Sequence, residues 1–242
     1  KYTLDVVSKS QIKLITSLSQ KKYRQQHGLF VVEGIKGIQE FLDSHYTLHS
    51  LYALKGYFEA QNAIEIAEAA LKKISFLKTP QKALAVFEIP KLSSEKEAGF
   101  QLVVDDVRDP GNLGTLIRLC DWYGIKTLVC SQQTVDCFNP KVVQATMGSL
   151  TRVMVHYTDL DTYLSGQTLP VYGAFMDGEN VYRASMPEDA ILVLGNEANG
   201  ISSAVSEKIQ HKTSIPQFGT STTESLNVAI AGAILVSEFK RG

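Results

Sequence analysis

Three stretches of this 242-residue chain put polar side chains at the ends of apolar elements, where they could bind or activate a ligand. In "RDPGNLGTLIRLCDW", Leu113, Leu116, Ile117 and Cys120 recur at helical spacing and mark the core face of a helix. Gly114 and Arg118 then share another face, and Asn112 stands where an N-cap would. An arginine one turn above a glycine, beside a helix N-terminus, suits a phosphate group. A capped helix with a solvated arginine is the alternative. In "AILVLGNEANGIS" an apolar strand runs into a turn with two glycines, two asparagines and Glu197. Gly195 would let a ligand approach the backbone closely, although a plain turn with Ser202 capping the next helix has the same pattern. In "SIPQFGTSTTESLNVAIAGAILVSEFK" the helix from Leu226 is apolar or small almost all round. Such a helix is expected to be buried on every side, which sets Ser225 and Asn227 at the mouth of a buried element. The small residues in its middle suit close helix contact.

Other chemistries are poorly supported. The dinucleotide fingerprint GxGxxG, the phosphate loop GxxxxGK[ST] and the nucleophile elbow GxSxG are all missing from the sequence. The histidines (27, 45, 49, 156 and 211) fall in unrelated segments, so no metal cluster is expected. Asp105 and Asp106 at a strand end are more ordinary turn caps than metal ligands. Cys120, Cys130 and Cys137 are odd in number and lack zinc spacing, which fits reduced, structural thiols in a cytoplasmic protein. No apolar run reaches the roughly 20 residues of a membrane helix, and the first residues show no signal-peptide pattern.

The elements that must position these residues fall into two groups. Residues 8–24 read as one helix, with Ile12, Ile15 and Leu18 on one face. "LFVVEG" is a strand, "IKGIQEFLDS" a helix, "LHSLYAL" a strand, residues 59–73 a helix and "ALAVFEIP" a last strand. These make a small α/β domain over 1–90, followed by a polar linker, "KLSSEKEA", at 91–98. From 99 to 242, "FQLVVDDV", "IKTLVCS", "RVMVHY", "VYGAFM", "AILVLG" and "TSIPQF" are strands of an α/β domain with a mostly parallel sheet. The loops after parallel strands gather along one sheet edge, where ligands bind. Charge divides the same way: residues 1–90 hold 12 Lys and Arg against 8 Asp and Glu, and the remainder 12 against 17. That asymmetry hints at a nucleic-acid-facing first module, with Lys9, Lys13, Lys21, Lys22 and Arg24 as candidate phosphate contacts.

The three stretches together resemble, in order, the signature motifs of the SpoU (TrmH-like) RNA ribose 2′-O-methyltransferases of the SPOUT superfamily. "NLGTLIR" is similar to the first, "LGNEANGIS" to the second and "IPQFGTSTTESLNVAIAGAIL" to the third. "SKSQIKLITSL…GLFVVEGIKGIQEFL" looks like the family's N-terminal substrate-binding domain. The resemblance implies methyl transfer from S-adenosylmethionine to a ribose 2′-hydroxyl of a structured RNA, with ribosomal RNA favoured over transfer RNA. It implies a homodimer and a C-terminal trefoil knot that holds the cofactor by backbone groups around Ala174, Leu194, Gly195, Ile215 and Leu226, with no metal. By the same analogy Asn112, Arg118, Glu197, Ser225 and Asn227 are the catalytic set. One departure is the "TSTT" between Gly219 and Glu224, longer than the common form. An RNA-binding protein that kept the fold without catalysis is a competing reading, opposed by the intact catalytic set. A nicotinamide-dependent oxidoreductase is another, opposed by the missing glycine fingerprint.

Overall fold

The structure, a computed structural model, describes residues 7–91, 99–219 and 225–241. Most of the 91–98 linker and the "TSTT" segment lie outside the described residues. The chain divides into two compact units, one of Lys1–Ser93 with Asp136–Thr151, the other of Ser94–Val135 with Arg152–Gly242.

The first unit begins with two helices where one was expected. α1 (Lys9–Ser17) opens on a capping box: Ser8 Oγ accepts the Gln11 N–H, and Gln11 Oε1 accepts the Ser8 N–H. The chain then turns, burying Leu18 completely, before α2 (Lys21–His27). A turn inside an apolar core strands carbonyl groups. Arg24 resolves this, because its Nη1 donates to the carbonyls of Leu18 at 2.8 Å and Ser19 at 2.9 Å. Its Nε and Nη2 donate to Asp136 Oδ2 at 2.9 and 2.6 Å. Arg24 is only 2% exposed. It is therefore removed from the set of candidate phosphate contacts: its charge is neutralised and its donors are used inside the fold.

Gly28, at φ +65°, closes α2 in the left-handed conformation that glycine adopts freely. β1 (Leu29–Glu33), α3 (Ile35–Leu42) and β2 (Leu48–Ala53) follow as the apolar periodicity predicts. The expected helix over 59–73 is shorter. Phe58 and Asn62 take left-handed backbone angles around a single 3-10 turn, β3 (Ile64–Glu65) comes next, and α4 covers only Glu68–Ile74. β4 (Ala83–Glu88) lies between β1 and β2, antiparallel to both, in the order β1-β4-β2-β3. Ile15, Leu18, Val31, Leu71 and Val86 pack between helices and sheet.

In the second unit, β5 (Gln101–Val104), α5 (Pro110–Trp122) and β6 (Thr127–Ser131) form a parallel βαβ unit. After β6 the chain enters the first unit: α6 (Pro140–Thr146) packs on β1, Phe138 meets Phe30 at 4.7 Å and the Tyr46 hydroxyl donates to the Leu150 carbonyl. This segment falls inside the 99–242 range expected for the second domain, yet it builds part of the first unit's core. β7 (Met154–Thr158), α7 (Leu160–Ser165), β8 (Val171–Asn180), β9 (Ile191–Leu194), α8 (Ser203–Ser206), β10 (His211–Ser214) and α9 (Val228–Lys240) complete the second unit. The sheet order is β10-β8-β9-β5-β6-β7 and every pairing is parallel. β5 and β9 are buried along their whole length, as strands covered on both faces must be.

Two expectations change here. The last strand ends at Ser214 rather than at 218, so residues 215–218 form a loop. α9 is not buried all round: Gly232 packs against the side chains of Leu116 and Leu194, but Ile230 is 54% exposed. Cys120, Cys130 and Cys137 are buried free thiols, and burial pushes the Cys120 thiol well above its usual range. No helix among the described residues is long and apolar enough to cross a membrane.

Removing one partner of a buried ion pair leaves the other charge uncompensated. Arg24→Ala should therefore lower the unfolding free energy by about 3 kcal/mol in a urea titration followed by circular dichroism. An unchanged midpoint would return Arg24 to the surface set.

Candidate active site

α5 starts from Asp109, whose side chain accepts the Asn112 N–H at 2.8 Å, with Pro110 at the first helical position. Asp109, not Asn112, is therefore the cap, which leaves the Asn112 carboxamide free for other partners. Its Nδ2 donates to Glu197 Oε1, 85 positions along the chain, and its Oδ1 accepts from Asn227 Nδ2 at 2.9 Å, 115 positions along. Asn227 is the N-cap of α9, and its Oδ1 accepts the Ala229 and Ile230 N–H groups at 3.0 and 3.3 Å. One carboxamide thus ties the starts of α5 and α9 to the turn after β9.

That turn is itself pinned. Asn196 donates from Nδ2 to the Asp106 carbonyl at 2.7 Å, while its Oδ1 accepts from Ala198 and Asn199. Its backbone exchanges two 2.9 Å hydrogen bonds with Gly200. A Cβ at Gly195 would lie 2.3 Å from the Gly200 carbonyl carbon and 2.4 Å from the Ile201 nitrogen. The turn folding back on itself leaves no room for a side chain at Gly195, a reason for the glycine that holds whether or not a ligand approaches it. Asp105 accepts the Ser202 N–H and Asp106 pairs with Arg108, so both strand-end aspartates have structural partners. Among the described residues no group of three His, Cys, Asp or Glu could hold a metal ion.

Arg118 stands exposed on α5 with no hydrogen-bond or ion-pair partner among the described residues. Ser225 is exposed just before α9. The hydrogen-bonded cluster thus joins Asn112, Glu197 and Asn227 and does not include the other two.

Beside the cluster is a cavity of about 810 Å³. Ala174, Leu194, Gly195, Ile215 and Leu226 all line it, together with Glu197 and Ser225. Its volume is within the range of small-molecule sites, and its walls combine apolar side chains with turn backbone. One wall went unnoticed in the sequence. β8 pairs with β10 through Gly173, leaves the ladder over 174–178, and rejoins at Glu179. The excursion is held by Lys212, whose Nζ lies 4.7 Å from the Phe175 ring centre and 3.5 Å from Asp177 Oδ2. Phe175, Met176 and Asp177 all reach the cavity, and a plain strand pattern carries no sign of it. In the first unit, Lys9, Lys13, Lys21 and Lys22 are exposed on α1 and α2.

Gly195→Ala should force the turn open. Amide hydrogen exchange at Asn196 and Gly200 should then accelerate, because their paired N–H groups lose their acceptors. Unchanged protection at both amides would show that the turn tolerates the methyl group.

The comparisons with known proteins agree with this geometry. Residues 99–237 match the SpoU rRNA Methylase family, and residues 9–85 match the MRM3-like substrate binding domain. The chain is 31% identical to the 23S rRNA (guanosine(2553)-2′-O)-methyltransferase RlmP of Bacillus subtilis over 98% of each chain. A Porphyromonas gingivalis structure described as an RNA methyltransferase of the TrmH family is 42% identical, with a TM-score of 0.89 over 98% of this chain and 99% of that one. The AdoMet-bound rRNA methyltransferase from Sinorhizobium meliloti is 26% identical, with a TM-score of 0.85 over 99% and 97%. With more than half its length matched by the family and its whole length aligned to such relatives, the chain belongs to the SpoU rRNA methylase family.

Proposed function

We propose that this SpoU-family enzyme transfers a methyl group from S-adenosylmethionine to a ribose 2′-hydroxyl of ribosomal RNA at the Asn112–Glu197–Asn227 cluster. The observation that carries the reading is the position of that cluster: Glu197 belongs at once to the hydrogen-bonded trio and to the wall of the 810 Å³ cavity. The cavity fits the cofactor. It has the volume for a nucleoside-sized ligand, apolar walls for a purine at Leu194, Ile215 and Leu226, and turn backbone for polar edges. When bound, the cofactor supplies a methyl group already made electrophilic by its sulfonium.

What remains for the protein is to aim a weak nucleophile and take its proton. Asn112, itself held by a hydrogen bond from Asn227, donates to Oε1 of Glu197 at the cavity wall, leaving Oε2 without a donor among the described residues. Ser225 adds a hydroxyl at the same wall. Arg118, unpaired and exposed, draws the RNA phosphate and the developing 2′-oxyanion into place. Its guanidinium does not act as the base, because an arginine side chain carries five N–H donors and no acceptor. The proton leaves through a neighbouring carboxylate, phosphate or water. Lys9, Lys13, Lys21 and Lys22 attract the RNA backbone to the first unit.

The same reading includes a second copy of the chain and a trefoil knot. Leu226, Ile230 and Trp122 are 45%, 54% and 85% exposed, apolar side chains that a partner subunit would cover. The return of α9 from β10 at the sheet edge to pack on α5 and β9 is consistent with a knotted C-terminal end. Buried free thiols suit a cytoplasmic setting.

Tritium transfer from labelled S-adenosylmethionine to ribosomal RNA lacking its own 2′-O-methyl groups tests the reaction. Wild type should place label in an alkali-resistant dinucleotide, and Arg118→Ala should slow transfer by about 100-fold. Arg118→Lys keeps the charge but loses the planar fork, so near-normal activity in that variant would count against the positioning role. Ile230→Glu should shift sedimentation from dimer to monomer. A wild-type protein that sediments as a monomer would remove the subunit contact from the proposal.

A further inference from the structure

We infer that Tyr23 and His27 form a stacking surface for an unpaired RNA base, so that the first unit selects looped or single-stranded RNA over continuous duplex. The inference rests on the RNA-methyltransferase reading and specifies the kind of RNA that reading requires. The two rings stand one turn apart on α2, with centroids separated by 6.4 Å and planes inclined by 20°. Lys22 places its ammonium 5.9 Å from the Tyr23 ring centre. His27 is exposed and Tyr23 half-buried. Neither the Tyr23 hydroxyl nor a His27 ring nitrogen has a hydrogen bond to a described residue, so the polar edges of both rings are available.

This pair differs from the contacts among the phenylalanines of the unit's core. Phe30, Phe41 and Phe87 meet one another edge-on or tilted and are buried, which is core packing. Tyr23 and His27 instead present nearly parallel faces at the surface. Their surroundings name the partner. No acidic residue occurs from 8 to 28, and Lys9, Lys13, Lys21 and Lys22 are all exposed there. Lysines alone would attract any polyanion, an acidic peptide included. Parallel ring faces with free polar edges, set among those lysines, match a nucleotide: phosphate to ammonium, base to ring. An RNA duplex hides its base edges in a deep, narrow groove, so proteins read RNA mainly through unstacked bases laid on aromatic side chains, Tyr and His among them. Such stacking contributes independently of base identity.

The test uses the full chain and two probes: an oligoribonucleotide hairpin with 2-aminopurine in its loop, and an uninterrupted duplex of the same length. Wild type should bind the hairpin more tightly and quench its fluorescence. His27→Ala should weaken hairpin binding by about 5- to 100-fold and lose the quench, with the salt dependence unchanged. His27→Tyr should recover both, because the ring face and not the imidazole is what the base needs. Lys22→Ala should instead lower the slope of log affinity against log salt by about 1. Equal affinity of wild type for the two probes, wild-type binding by His27→Ala, or equal weakening by Ala and Tyr would each overturn the inference. The readout is binding, so it stands apart from methyl transfer. A wild-type protein that quenches the loop base yet labels no RNA would sink the catalytic reading and leave the stacking surface in place.

Discussion

The carboxamide of Asn112 is bonded on both sides, to Glu197 through its nitrogen and to Asn227 through its oxygen. A carboxamide carries its donors and its acceptor on two separate atoms, and the rest of the site is arranged around that property. It holds three segments that the sequence separates widely. It works only because Asp109 takes over the capping of α5, because α9 starts on an asparagine, and because Asn196 fixes the turn that carries Glu197. Asn227 serves twice, its oxygen closing the helix start and its nitrogen completing the cluster. Side-chain caps thus satisfy the local hydrogen bonds, and the Asn112 carboxamide is left to join the three segments.

The cavity beside the cluster follows a different logic. Its walls mix apolar residues with polar ones such as Asp177, Asn199 and Gln217. It is shaped by places where the chain departs from regular structure: the excursion of β8, the loop after β10 and the turn after β9. Tight backbone approaches make these departures possible. A Cβ at Gly178 would sit 2.5 Å from the Thr213 carbonyl carbon, where β8 rejoins β10, and one at Gly195 would sit 2.3 Å from the Gly200 carbonyl carbon. A pocket shaped this way leaves little mark in the local sequence pattern.

That distinction explains what could be read in advance. The strands of the parallel sheet and the core face of α5 were legible because apolar periodicity reports burial directly. Asn112, Glu197 and Asn227, which the structure joins by hydrogen bonds, stood out in the sequence because polar side chains at apolar boundaries are conspicuous. Interruptions were harder. The turn at residues 18–20 inside an apparently continuous helical pattern depends on Arg24 reaching back to two carbonyls and out to Asp136, a partner 112 positions away. An arginine in a basic stretch looks like a surface charge until that distant carboxylate is known. Asn112 was misread as a cap for a related reason, since Asp109 and Asn112 both suit the role and only the backbone angles decide. The short β10 and the wide excursion of β8 depend on pairing between strands, which no local pattern records.

The placement of Asp136–Thr151 has a consequence for modularity. A substrate-binding domain encoded by one continuous stretch can be exchanged between enzymes by a single cut in the linker. Here the first unit borrows an aspartate for Arg24, an aromatic ring for Phe30 and a backbone acceptor for Tyr46 from a segment encoded between two strands of the second. A recombination at residues 91–98 would bring in a domain whose core had coevolved with another chain's insert. Substrate preference in such an architecture is expected to drift by point substitution on exposed helices such as α1 and α2, and not by wholesale domain exchange.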